Sequence, residues 1–177
     1  MRLPICTIDA SNVIALDHLN LLPELSFLFS RVLLPSAVRR ELFKRQETED
    51  RLNAILASYA FVAPCDDYDK GAVDILRTTQ GERDRGEAEA VVQAAKVGAM
   101  VVVDDRWGRK LAKREGLDCH GTVWILKRFF ELGLLSSSVC RAHFVELYHH
   151  GIFLPKTAVN ELLVEIGEPP IPDIDGV

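Results

Sequence analysis

Short apolar runs alternate with longer amphipathic stretches along most of this chain, the pattern expected when strands of a parallel sheet alternate with helices. Leu3 to Ile8 reads as a first strand, and it hands over to a helix at Asp9, Ser11 or Asn12, any of which suits the capping position. Leu21 to Phe29 is apolar enough for a second helix with Pro23 in its first turn, and Val32 to Leu34 makes a short second strand. Pro35 and Ser36 then open a helix, SAVRRELFKRQ. Asp50 to Ala57 fits an amphipathic helix, Tyr59 to Ala63 a third strand, and Asp67 to Thr78 a further helix.

The most informative stretch is Gly86 to Leu111, GEAEAVVQAAKVGAMVVVDDRWGRKL. Glu87 opens a helix, Val91, Ala94 and Ala95 follow at helical spacing, and Gly98 stands where a left-handed cap usually ends one. Met100 to Val103 is a continuous apolar run, which predicts a strand covered on both faces, with Asp104 and Asp105 at its C-terminal end. Ligands of open α/β sheets bind at that end. Carboxylates gathered there call for a cation, because two of them at about 4 Å repel by roughly 4 kcal/mol at an effective dielectric of 20.

Other acids divide between structural and chemical readings. Asp9 ends the first strand as Asp105 ends a later one, and helix capping and a functional role weigh evenly for it. On the helix after Pro35, Val38, Glu41, Leu42 and Arg45 share a face, so Glu41 turns toward the core, where it meets either Arg45 or a metal. Glu89 lies two residues from Glu87 and is expected to face solvent, and the charge run Glu82, Arg83, Asp84 and Arg85 reads as solvated surface. After Asp105 the segment RWGRKLAKREG puts Arg106, Arg109, Lys110, Lys113 and Arg114 on a helix that starts at the acidic strand end. A solvated face is the plainer account, and phosphate binding beside an acidic centre is the functional one.

Cys119 to Thr122 predicts a last weak strand, and Thr122 to Leu132 a helix with Trp124, Ile125, Phe129 and Leu132 inward. SSSVCRAHFVELYHHG, with Ser138 as its cap, and PKTAVNELLVEIG read as two more helices, which either complete the core or form the face of a homodimer. The spacing of His143, His149 and His150 does not suit a metal pair, and the Pro-rich tail EPPIPDIDGV reads as extended or mobile.

Composition narrows the function. With 177 residues, 48% of them apolar, the chain can bury one sizeable core. A net charge of -5 argues against nonspecific coating of nucleic acid while allowing a local basic edge. Cys6, Cys65, Cys119 and Cys140 form no CxxC pair and read as small buried hydrophobes in a reducing compartment. No stretch resembles a signal peptide or a membrane span, so the expected location is cytoplasmic. The pattern contains no Gly-rich phosphate loop, and no Ser/His/Asp or Cys/His signature stands out.

Four motifs in order, TIDASNVIAL, LPSAVRREL, GEAEAVVQAAKVGA and VVVDDRWGRKLA, followed by Gly121 and Thr122 before a helix, resemble the PIN-domain nucleases from about Leu3 to Leu134. More narrowly, the chain resembles a prokaryotic, toxin-like branch with GEAEA and DDR motifs. It implies an α/β, PIN-like three-layer fold with a mainly parallel central sheet flanked by helices. On that basis residues 1–135 form the nuclease domain, 136–166 a C-terminal helical extension packed on it, and 167–177 the tail. The resemblance also implies a metal-dependent ribonuclease, with Asp9, Glu41, Glu87 and Asp105 holding Mg²⁺ or Mn²⁺ directly or through water. Asp104 either substitutes as a ligand or faces away. Ser11 orients a water or a ligand, and Arg106 and Arg109 contact phosphate. The implied partners are RNA and, since many relatives are toxins of toxin-antitoxin pairs, an antitoxin protein. Val103 stands where many relatives carry Thr or Ser, which supports a rival reading as a catalytically weak domain that binds RNA or a protein. A metal-dependent phosphatase is a further rival, but it would want a DxD pattern, and after Asp9 this chain offers Ser11.

Overall fold

The structure, a computed structural model, describes residues 3–43, 50, 53–54, 57–78 and 85–172. Its strands are β1 (Ile5–Ile8), β2 (Arg31–Pro35), β3 (Val62–Cys65), β4 (Met100–Val102) and β5 (Cys119–His120). They form one sheet in the order β3-β2-β1-β4-β5, and every pairing is parallel. The helices lying wholly within the described residues are α1 (Ala10–His18), α2 (Ser36–Phe43), α3 (Lys70–Thr78), α4 (Arg85–Val97), α5 (Arg106–Arg114), α6 (Thr122–Glu131), α7 (Ser137–His149) and α8 (Lys156–Glu165). The expected α/β class, a parallel sheet flanked by helices, is therefore what the protein has.

Strand order fixes where a site can form. From β1 the chain builds outward through β2 and β3 on one side, then returns to build β4 and β5 on the other. The sheet thus changes winding direction between β1 and β4, and a crevice opens above the carboxyl ends of two such strands. Cys6, Thr7 and Ile8 register with Met100, Val101 and Val102, so the strands end level. Beyond the last paired residues, the Asp9 N–H still donates to the Val102 carbonyl at 3.0 Å.

The alternating pattern works as physical chemistry predicts. Strands β1 and β4 are buried along nearly their whole length, the signature of a sheet covered on both faces. Val91, Ala94, Val101, Val103, Leu111 and Ala112 belong to one buried cluster that ties α4 and α5 to β4. Gly98 ends α4 with φ +65, as its position predicts.

Several expectations need correcting. Leu21 to Phe29 is not an α-helix but carries a 3-10 turn over Pro23–Phe27, since the proline and the short span leave room only for a tight turn. Leu132 is 46% exposed rather than inward, because it lies past the end of α6. Ser136, not Ser138, caps α7, accepting the Val139 N–H at 3.3 Å. Arg45, the segment 82–84 and half of the helix expected over Asp50 to Ala57 lie outside the described residues.

The chain divides into two compact units, Met1–Gly121 and Thr122–Val177. In the second, Ile125, Phe129, Phe144, Leu147, Val159 and Leu163 are fully buried. As far as residue 172 the tail is held: Asn160 bonds both the N–H and the carbonyl of Ile171, and Arg141 donates to the Pro169 carbonyl. Among the described residues, no helix is long and apolar enough to cross a membrane.

Candidate metal centre at the sheet edge

Two aspartates end the two central strands and begin the helices that follow. Asp9 caps α1, its Oδ2 accepting from the Ser11 N–H at 3.1 Å and the Ser11 hydroxyl at 2.6 Å. Asp105 caps α5, its Oδ1 accepting from the N–H groups of Trp107 at 2.6 Å and Gly108 at 3.1 Å. Each cap occupies one oxygen of its carboxylate. The strand-end acid that opens a helix is thereby oriented by backbone geometry, and its second oxygen lies outside the cap.

For Asp9 that second oxygen is conspicuous. The residue is only 3% exposed, and Oδ1 is buried with no hydrogen-bond donor among the described residues. Burial pushes its carboxyl above the ordinary aspartate range. The Ser11 bonds and the Ala10 backbone pull it back, and the charge of Asp105 pushes it up again. A buried carboxylate oxygen with no donor and a second acid in electrostatic reach is costly unless a cation meets it.

Glu41 reaches the same place from α2. A Cβ on Gly86 would lie 2.9 Å from Glu41 Oε1 and 3.3 Å from Asp9 Oδ1, so the two carboxylates flank one glycine in the first turn of α4. Glu87 is the next residue. Its Cβ and Cγ lie 3.3 and 3.2 Å from where a Cβ on Gly108 would stand, in the turn that Asp105 caps. Two small residues thus let α4 and α5 bring their acids close: Gly86 beside Asp9 and Glu41, Gly108 beside Glu87 and Asp105. Among the described residues, no group of three or more His, Cys, Asp or Glu side chains is closed around a common point as they stand. The fit to a hard cation rests instead on the buried, donor-less Oδ1 of the Asp9 cap, the all-carboxylate donor set and the Gly86 gap.

Asp104 is half-buried, and its Oδ2 accepts from Asn12 Nδ2 at 2.6 Å across the crevice. A Cβ on Gly121 would overlap Asp104 Oδ1 and lie 3.1 Å from an Arg109 nitrogen. Arg109 also donates to the Val103 carbonyl at 3.4 Å, so it reaches back over the strand end. Arg106, Lys110 and Lys113 are exposed and form no ion pair among the described residues. Val103 is 1% exposed, in the cluster under α5, with Cγ2 2.7 Å from where a Cβ on Gly108 would stand.

Glu89 overturns the expectation that it faces solvent, since it is fully buried. It accepts from the Ala37 N–H at 2.6 Å and pairs with Arg85 at 2.8 Å and Arg40 at 3.7 Å. Spacing from Glu87 misled because α4 is covered on several sides: Gly86, Ala88, Glu89, Ala90, Val91, Gln93 and Ala94 are all buried, so a residue off one buried face falls on another. Asn12 and Gly86 were also not legible as site residues. Asn12 read only as a cap, and nothing in its neighbours signals a contact 92 positions away.

Residues 5–168 match the model of a family described as PIN domain. A comparison with curated proteins finds no match.

Proposed function

The chain belongs to the PIN-domain family, whose fold is of nuclease type, and from that premise we propose that it is a divalent-metal-dependent ribonuclease. Asp9, Glu41, Glu87 and Asp105 would hold Mg²⁺ or Mn²⁺, directly or through water. The observation that carries this reading is the buried Asp9 Oδ1, left without a donor beside Glu41 at the Gly86 gap. When bound, the metal would supply an acidified water as nucleophile and a positive charge for the phosphate oxygens.

The protein's own groups prepare that chemistry. The Ser11 N–H and hydroxyl hold Asp9 Oδ2, which leaves Oδ1 facing the Glu41 side. The α5 cap orients Asp105 while leaving its Oδ2 outside the two backbone bonds. Arg106 stands at the start of α5 beside these acids and, with Lys110 and Lys113 one and two turns on, offers cations to the phosphates of an RNA strand. Arg109, exposed on the same helix, donates to the Val103 carbonyl and lies with Asp104 beside Gly121.

A toxin of a toxin-antitoxin pair is the finer reading, supported by the GEAEA and DDR motifs. Induced expression should arrest growth for the natural sequence and not for Asp105→Asn. The test of the ribonuclease reading is cleavage of single-stranded RNA with Mn²⁺ against EDTA, comparing the natural sequence with Glu41→Gln. Metal-dependent cleavage abolished by Glu41→Gln is the expected result. A protein that binds RNA in EDTA yet is inert with Mn²⁺ would favour a second reading, a catalytically weak RNA-binding domain.

A further inference from the structure

Glu89 is a carboxylate with no role in the chemistry above, and it is buried among several hydrogen-bond and ion-pair partners. It lies on α4, three residues after Gly86 and two after Glu87, with its side chain wholly out of solvent. Its Oε2 accepts from the Ala37 N–H at 2.6 Å and from the Ser36 hydroxyl at 3.4 Å, both in the first turn of α2. That turn has backbone donors without intrahelical acceptors, and a carboxylate from another helix caps it. Oε1 meets Arg85 of α4 and, more loosely, Arg40 of α2. The Tyr68 hydroxyl is within 3.2 Å of Ser36 Oγ and closes the group.

The consequence concerns Glu41, the residue after Arg40. Its carboxylate abuts Gly86, one turn before Glu89 on α4. Helices α2 and α4 therefore touch twice along one line: at a charged anchor, Glu89 on the start of α2, and at the site itself, Glu41 against Gly86 and Asp9. A shift of α2 along α4 would break the first contact and carry Glu41 away from the second.

We propose that Glu89 is a positioning residue, which locks α2 to α4 by capping α2 and so sets the Glu41 carboxylate against Asp9. This inference rests on the reading of Asp9 and Glu41 as metal ligands. Residues that hold ligands in place affect metal affinity by about 10- to 100-fold when changed.

The test compares Glu89→Gln, which keeps an oxygen acceptor for Ala37, with Glu89→Ala, which keeps none. Mn²⁺ affinity is measured by calorimetric titration in the cold, well below each variant's melting temperature. Phe129→Leu, a core change in the second unit, serves as a destabilised control. The expected order of Mn²⁺ affinity is natural sequence and Phe129→Leu together, then Glu89→Gln, then Glu89→Ala at least about 10-fold weaker. In RNA cleavage the loss should fall on kcat with KM little changed. Should Glu89→Ala not fold, a weakened Mn²⁺ affinity in folded Glu89→Gln carries the same conclusion. Unchanged Mn²⁺ affinity in the folded Glu89 variants, beside normal binding by the natural sequence, overturns this inference and leaves the ribonuclease reading standing. No Mn²⁺ binding by the natural sequence overturns both.

Discussion

Asn12 on α1 donates its side-chain amide to Asp104 at 2.6 Å, which assigns the two adjacent acids at the end of β4 to different partners. Asp104 turns to α1 on the far side of the crevice, and Asp105 turns to the start of its own helix. The bond spans 92 residues of sequence and ties the β1 and β4 sides of the switch point together. A hydrogen bond to a charged, partly buried acceptor is worth about 1.5 to 3 kcal/mol. Asn12→Ala should lower stability by that order in urea denaturation with EDTA present. A variant as stable as the natural sequence would show that the contact contributes nothing.

Gly86→Ala should separate folding from function. Alanine is favoured over glycine within a helix by about 1 kcal/mol, so α4 itself gains. The new methyl would come within 2.9 Å of Glu41 Oε1, the far end of a flexible side chain that can swing aside. The expected outcome is a protein of near-natural melting temperature that has lost most Mn²⁺-dependent cleavage. Full cleavage by Gly86→Ala would mean that Glu41 need not sit where the structure has it.

Asp9 predicts an unusual pH dependence. Its native carboxyl lies above the unfolded value of 3.8, chiefly through burial. At neutral pH the folded, metal-free protein therefore carries an unfavourable charge, and as pH falls through the raised native value the folded state takes up the proton first. This residue's contribution to stability thus improves on mild acidification and is poorest above the raised value, the reverse of a salt-bridged aspartate. Asparagine still accepts the Ser11 N–H as a cap. Metal-free Asp9→Asn should accordingly be more stable than the natural sequence at neutral pH, with the difference shrinking in acid. Lower stability of Asp9→Asn in EDTA at neutral pH would refute the account.

These contrasts mark what the chain alone discloses. Hydrophobic runs ending in Asp9 and Asp105 were legible because a strand covered on both faces leaves a continuous apolar signature, and an acid at its end stands out. Which acids meet was not legible from periodicity. Glu41 and Gly86 come together only through the packing of α2 on α4, and helical spacing assigns a residue to a face without saying what covers it. Glu89 is the clear failure, since a helix buried on several sides has little solvent face to offer. Val103 shows a different limit. Its side chain lies in the cluster beneath α5, so position in a motif did not disclose where it points.

The cations of α5 predict a salt dependence. Arg106, Lys110 and Lys113 recur at helical spacing on an exposed surface that begins beside the acids. Each phosphate contact on a single strand contributes about -0.7 to the slope of log affinity against log salt. Replacing all three by alanine should flatten that slope by about 2 for RNA bound in EDTA, with the melting temperature nearly unchanged. An unaltered slope would remove α5 from the RNA path.

Asp105 is where capping and ligation have to be told apart, because the structure has it capping α5 and the proposed chemistry also needs its charge. Both cap bonds fall on Oδ1, which an asparagine side chain reproduces with its carbonyl oxygen. Asp105→Asn should therefore keep the cap and lose the second anionic oxygen, with stability close to natural in EDTA and Mn²⁺-dependent cleavage abolished. Asp105→Ala removes the cap as well and should cost a further 0.5 to 2 kcal/mol, on the order expected for an N-cap. Neutralising the residue also relieves the repulsion it exerts on Asp9, a gain that the metal-free Asn and Ala variants share, so the cap alone separates the two in stability. Melting curves and cleavage on the two variants resolve the roles. A fully active Asp105→Asn would leave this residue a helix cap only and would withdraw it from the proposed metal site.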